Sequence, residues 1–209
     1  MLIDYLIVTP VASVIFALTI GISIYVFSNP EWYGKLMLHP YSIYRDKSKA
    51  YMIFTSGLIH QDWMHLLFNM ITFYYFGFAL EALMVGLSGG LGHLYFAIIY
   101  IVGLILSDIP TILKEKNNYG YHSLGASGAV SAVLFSYILF NPKAELRIFM
   151  AIPMPAYLFA FLYLGYCIWA SKKAQDNINH DAHLFGALTG LLLTILMYPW
   201  VIRHFIDQF

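Results

Sequence analysis

Six stretches of this 209-residue chain, near residues 7–27, 63–84, 90–112, 122–140, 148–170 and 182–202, run for about twenty residues with little or no charge. A bilayer core of ~30 Å needs ~20 helical residues to cross it. In lipid every backbone polar group must be satisfied internally, which leaves helices and closed barrels, and these runs do not alternate as barrel strands do. The expected fold is an all-α polytopic membrane protein, a bundle of six transmembrane helices in contact with the lipid bilayer. Composition agrees: 60% of residues are hydrophobic and 11% charged, where a soluble domain carries about a quarter charged residues. The formal net charge is zero, so no broad basic field invites nucleic acid. Cys167 is the single cysteine and lies in an apolar run, which excludes a disulfide framework.

The breaks between spans carry turn chemistry. GLSGG at 86–90 reads as a tight turn, KEKNNYG at 114–120 and SKKAQDNINHD at 171–181 as polar loops, and Asn141-Pro142 as the end of the fourth helix. No internal repeat or separate soluble domain is visible, so residues 1–209 read as one membrane domain. Residues 28–59 are too long for a simple turn. Their mixture of aromatics and cations (Trp32, Tyr33, Lys35, Tyr41) suits the headgroup zone and predicts an interfacial, partly helical first loop. No Lys or Arg precedes Lys35, so neither a cleaved signal peptide nor an Arg-rich presequence is expected.

Polar residues inside a membrane cost free energy and need a reason. Three groups stand out: His60, His65 and Asn69 at the start of the second span; Gly125, Ser127 and Gly128 at the start of the fourth; His183, Gly186 and Gly190 at the start of the sixth. Spans two, four and six all begin from the same side, so these groups gather near one membrane face. His65 and Asn69 are four apart and share a helix face. Gly186 and Gly190 form a small-x-x-x-small surface, as do Gly128 and Ala132, and such surfaces let two backbones approach closely. A contact between them would bring the Ser127 hydroxyl toward the His183 imidazole. That pair is the minimum for nucleophilic acyl transfer, with His65, Asn69 and the Ser127 amide as candidate donors to the oxyanion. Each element alone has a plainer reading: a packing serine, a polar helix-end histidine, packing glycines, an interhelical hydrogen-bond pair. Gly-x-Ser-Gly is also not the Gly-x-Ser-x-Gly elbow of soluble hydrolases, because residue 129 is Ala.

The combination of His60-x4-His65-x3-Asn69, Gly125-Ala-Ser127-Gly128 and His183-x2-Gly186-x3-Gly190 on spans two, four and six resembles the rhomboid family of intramembrane serine proteases. The resemblance runs over about residues 30–200. It implies a six-helix rhomboid-like bundle and a water-accessible Ser–His dyad, with Ser127 as nucleophile and His183 as general base. His65, Asn69 and the Ser127 amide would form the oxyanion hole, His60 would support the site, and Glu81 would be a structural acid at the far end of the second helix. Substrates would be transmembrane proteins cut in or near their spans, with no cofactor. No third carboxylate is expected; Asp181, two residues from His183, is badly placed to orient its ring.

Two positions depart from the family pattern. Tyr51-Met52 stands where many members carry Trp-Arg in the first loop, and Ser131 stands where some bacterial members have a tyrosine that stacks on the histidine. Orientation is contested too. The odd-numbered loops hold eight Lys or Arg (35, 45, 47, 49, 114, 116, 172, 173) and the other side three (143, 147, 203), which favours an external N-terminus. The resemblance implies a cytoplasmic N-terminus, and the absence of eukaryotic targeting features fits a bacterial inner membrane; water must reach Ser127, so helix 5 or the 171–181 loop is expected to move as a gate. The competing functions are a catalytically silent rhomboid-like binder or chaperone, a metal enzyme using His60, His65, His180 and His183, and a transporter. No His-Glu-x-x-His motif supports a metal site, and no pair of broken helices supports a transporter.

Overall fold

Six long helices carry the apolar stretches: α1 (Pro10–Ser28), α2 (Trp63–Ser88), α3 (Leu91–Glu115), α4 (Ser127–Phe140), α5 (Ala156–Lys173) and α6 (His180–Met197). They are seen in a computed structural model that describes residues 7–148, 151–174, 176 and 178–209. Among the described residues α1, α2, α3 and α6 are each long and apolar enough to cross a membrane. The protein is a multi-pass helical membrane bundle.

α4 is the hub. Its sequence is apolar all round, and 12 of its 14 residues, from Gly128 to Phe140, are buried, as expected of a helix enclosed by others. It touches α2, α3, α5 and α6. Fourteen residues rise about 21 Å, short of a hydrocarbon core of about 30 Å. At least one end of α4 therefore lies at membrane depth, where non-helical backbone is tolerated only if protein or water covers it. Residues 121–126 satisfy that condition. Ser123 and Leu38 exchange backbone hydrogen bonds, and the Gly125 N–H donates to Ser56 O at 2.9 Å. The expected fourth span of 122–140 is thus shortened at its start, because Gly125 adopts φ +116°, a conformation outside any right-handed helix.

At the opposite end of α2, the buried Glu81 holds α1 in place. Its carboxylate accepts the Val11 N–H at 3.1 Å and the Ala12 N–H at 2.6 Å, and meets His93 Nδ1 at 2.7 Å. Two orphan amides of the first turn of α1 are thereby satisfied by a charge of the sign that a helix N-terminus favours. Between the ends, Phe73 sits fully buried among the rings of Phe16, Phe78, Phe96 and Tyr100, at centroid distances of 5.6 to 6.4 Å. These contacts bind α1, α2 and α3 into one core.

The first loop is partly helical, with short helices at Tyr33–Leu36, Pro40–Arg45 and Met52–Ser56. Met52 is buried and clusters with Leu38, Ile43 and Ile112. Arg45 supplies a polar tie elsewhere: its guanidinium lies 3.7 Å from the Tyr41 ring centroid and donates to Lys116 O at 2.7 Å.

Boundaries of the fifth and sixth helices also differ from the sequence expectation. A β-hairpin, β1 (Glu145–Ile148) and β2 (Ile152–Pro155), pairs Glu145 with Pro155 through Ile148 with Ile152 and displaces the start of the fifth helix to Ala156. Pro153 and Pro155 exclude the helix that hydropathy suggested, and a two-stranded hairpin is all edge, where proline is tolerated. Residues 149 and 150, inside the expected fifth span, lie outside the described residues, as do 175 and 177 in the expected 171–181 loop. α5 runs on through Lys173, so that loop is shorter than expected. α6 stops at Met197, just before Tyr198-Pro199, since the residue preceding proline is driven out of the helical region.

Candidate active site

α4 and α6 cross backbone to backbone. A Cβ built on Gly186 would land on the carbonyl oxygen of Gly128 and stand 2.8 Å from its carbon, and one on Gly190 would land on the carbonyl oxygen of Ala132. Ser136 ties the same crossing further down, donating to Ala132 O at 2.8 Å and, as a shared bond, to Gly190 O at 3.1 Å. At the top, a Cβ on Gly128 would stand 3.4 Å from the Ala182 carbonyl oxygen. Ser127 directly precedes Gly128 on α4 and His183 directly follows Ala182 on α6, so both lie in the first turns of the two crossing helices. No hydrogen bond joins the Ser127 hydroxyl to the His183 ring among the described residues. Ser127 also lines a small cavity of about 20 Å³ with Ser56, Ser107, Asp108, Asn179 and Ala182, room for about one water molecule.

α2 contributes the other two candidates. Asp62 caps this helix, accepting the His65 N–H at 2.8 Å. The His65 ring lies over Gly125: a Cβ there would stand 2.7 Å from Cε1 and 2.8 Å from Nε2. Gly125 is required twice, by its positive φ and by this close approach. Asn69 is buried and its side-chain amide donates to His65 O at 3.0 Å; an amide has two N–H donors, so one remains for a ligand.

His60 joins three segments. It is fully buried, its Nδ1 lies 3.0 Å from Ser23 Oγ of α1, and its Nε2 accepts the Ala126 N–H at 3.4 Å. That acceptance leaves the ring proton on Nδ1, so the chain runs Ala126 N–H to His60, His60 N–H to Ser23, and Ser23 O–H to Leu58 O at 3.1 Å. Burial, reinforced by His65, pushes the His60 imidazole down to about 3, so the ring is neutral at physiological pH and holds this tautomer. Tyr33 OH adds a bond to His60 O at 2.8 Å. The residue before Ser127 is therefore anchored to the first loop and to α1. Sequence patterning singled out His60 but gave no sign of Ser23, because one serine in an apolar helix has no visible partner.

His183 is bounded by rings. Tyr163 of α5 lies near-parallel to it, with centroids 6.3 Å apart at 16°, and His180 stands edge-on at 6.0 Å. His180 in turn bonds Asp176, whose carboxylate is held below the usual range by the Ile178 N–H and by His180. Asp181 is engaged elsewhere, accepting from Lys114 Nζ at 3.0 Å. Of the four histidines considered for a metal, His60 bonds Ser23 and Ala126 and His180 bonds Asp176, and no group of three or more His, Cys, Asp or Glu that could hold a metal ion is found among the described residues.

Comparison with known proteins bears on this arrangement. A family model for the Rhomboid domain matches residues 47–200. The Arabidopsis thaliana mitochondrial RHOMBOID-like protein 12 is 30% identical over 166 residues, covering 73% of this chain and 49% of that protein. The candidate rhomboid protease YdcA of Bacillus subtilis is 34% identical over 146 residues, covering 69% and 65%. The rhomboid protease GlpG of Photorhabdus laumondii is 28% identical over 150 residues, covering 72% and 47%. The matched region thus spans between 47% and 65% of the length of these relatives.

Proposed function

This chain belongs to the rhomboid family, and from that premise we propose that it is a serine endopeptidase that cuts membrane proteins in or near their transmembrane segments. Ser127 attacks the scissile carbonyl while His183 takes its proton. The oxyanion is met by the Ser127 N–H at the start of α4, by His65 and by the free N–H of Asn69, and it gains from the positive end of the helix dipole. His183 then returns the proton to the leaving amine, and a water activated by the same imidazole releases the acyl group. The observation that supports this reading is the glycine crossing of α4 and α6, which packs the first turns carrying Ser127 and His183 against each other, with the His65 ring lying over Gly125. Substrate spans with helix-weakening residues and a small residue at the cut suit it best, because amides in an intact helix are shielded.

The competing reading is a silent binder with the same fold, and the missing Ser127–His183 hydrogen bond is the observation on its side. Co-reconstitution in liposomes with a single-span protein carrying a Gly-Ala pair in its span separates the two. Wild type is expected to release a fragment ending in or near the span, Ser127→Ala and His183→Ala to lose at least about 10³-fold in rate, and Asn69→Ala about 10²-fold, the usual cost of one oxyanion donor. Fragment release that persists in Ser127→Ala would overturn the proposal. We further propose that the N-terminus is cytoplasmic in a bacterial inner membrane; one named relative is mitochondrial. A reporter fused after Phe209 should read out on the cytoplasmic side, and an external readout would reverse the assignment.

A further inference from the structure

A general base without a carboxylate partner still needs its ring held in one orientation. No acidic group hydrogen-bonds the His183 ring among the described residues, and Ser131, one turn after Ser127, is too short to stack on it. The structure places a different aromatic there. Tyr163 comes from α5 and lies parallel to the His183 ring, within the 4.5–7 Å range over which aromatic pairs attract. Its hydroxyl shares a hydrogen bond of 2.9 Å with Ser131 Oγ, and Ser131 is buried. Its ring is also flanked by Phe135 and Phe159, each with centroids at 5.4 Å. Tyr163 is thus fixed at its tip by α4, at its sides by two phenylalanines, and faces His183 of α6.

We infer that Tyr163 is a positioning residue for His183, with Ser131 as the hydroxyl that fixes it. The inference rests on the Ser127–His183 dyad proposed above. A tyrosine on one helix and a serine on another together do what a single tyrosine at position 131 would do alone. The brace then resides on α5, which has three buried residues, Ala156, Cys167 and Ala170, so the orientation of the base depends on a helix with little core of its own.

The test uses the full-length protein in mild detergent with a fluorophosphonate, reading the saturating rate of Ser127 modification (kinact) separately from probe affinity (KI). Tyr163→Leu is expected to lower kinact by about 10- to 100-fold with KI unchanged, the scale of loss produced by misplacing a catalytic group by about 1 Å. Tyr163→Phe and Ser131→Ala, which remove only the tether, should each lower it by about 2- to 5-fold. The double variant Ser131→Tyr/Tyr163→Ala, which returns an aromatic ring from α4, should recover most of the loss. Wild-type kinact in a folded Tyr163→Leu protein, or a change in KI alone, would overturn the inference; were Tyr163→Leu not to fold, unchanged kinact in both tether variants with no recovery in the double variant would overturn it as well. Ser127 modified equally fast in His183→Ala would instead remove the dyad, and this inference with it.

Discussion

Gly186→Ala should destabilise the bundle by about 2 kcal/mol, although alanine is the better helix former by about 1 kcal/mol. The added methyl collides with the carbonyl group of Gly128, standing 2.8 Å from its carbon and 3.0 Å from its Cα. Backbone of an enclosed helix has no rotamer in which to retreat, so α4 and α6 must separate, and overpacking of this kind costs about 1–3 kcal/mol or more. Separation also pulls Ser127 from His183, so activity should fall further than stability alone requires. Gly21→Ala is the matched control: a Cβ there meets nothing within 4 Å, and the substitution should be neutral or slightly stabilising. Thermal unfolding in detergent compares the two, and equal effects would mean that the crossing is not as tight as described.

Glu81→Ala should cost about 4 kcal/mol and release the start of α1. The residue is fully buried, and its removal strands the Val11 and Ala12 amides and the His93 Nδ1. Each unsatisfied buried polar group costs about 1–3 kcal/mol, with the upper part of the range for partners of a charge. Glu81→Gln keeps one acceptor oxygen and should lose about half as much. Because Ser23 of α1 completes the His60 chain that anchors Ala126, loosening α1 should also slow the serine chemistry at the far end of the bundle. Limited proteolysis of the α1–Tyr33 segment reads the first effect. Cleavage no faster than in wild type would show that the carboxylate is not what fastens α1.

What could be read from the sequence divides along a physical line. Polar residues in apolar helices announce themselves, because each carries a cost that lipid does not forgive; His60, His65, Asn69, Ser127 and His183 were visible for that reason, whereas Glu81 came only from the family resemblance. The small-residue surfaces of Gly128/Ala132 and Gly186/Gly190 were visible because their spacing is that of one helix face, and the structure brings those faces into contact. Hydropathy alone hid three things. It joined 148–155 to the fifth helix, since Ile152 and Met154 are apolar whatever their backbone does and only Pro153 and Pro155 signal otherwise. It extended α4 back to residue 122, since the left-handed turn at Gly125 leaves no trace in polarity. It also gave no weight to Tyr163, one aromatic among many in AYLFAFLYLGYCIW, whose partners Ser131 and His183 lie on two other helices. Ser131 could at least pose the question, because a short hydroxyl at that position leaves the histidine without a brace from its own neighbouring helix.

The measurement that bears most directly on the account is where an activated-serine probe attaches. The purified protein is treated in mild detergent with a fluorophosphonate, digested, and the adduct mapped by mass spectrometry in wild type and in His183→Ala. A single adduct is expected on the peptide containing Ser127, reduced at least about 10³-fold without His183, since a free serine hydroxyl is a poor nucleophile until a base takes its proton. An adduct on a different serine, or one on Ser127 that forms equally fast in His183→Ala, would contradict this expectation.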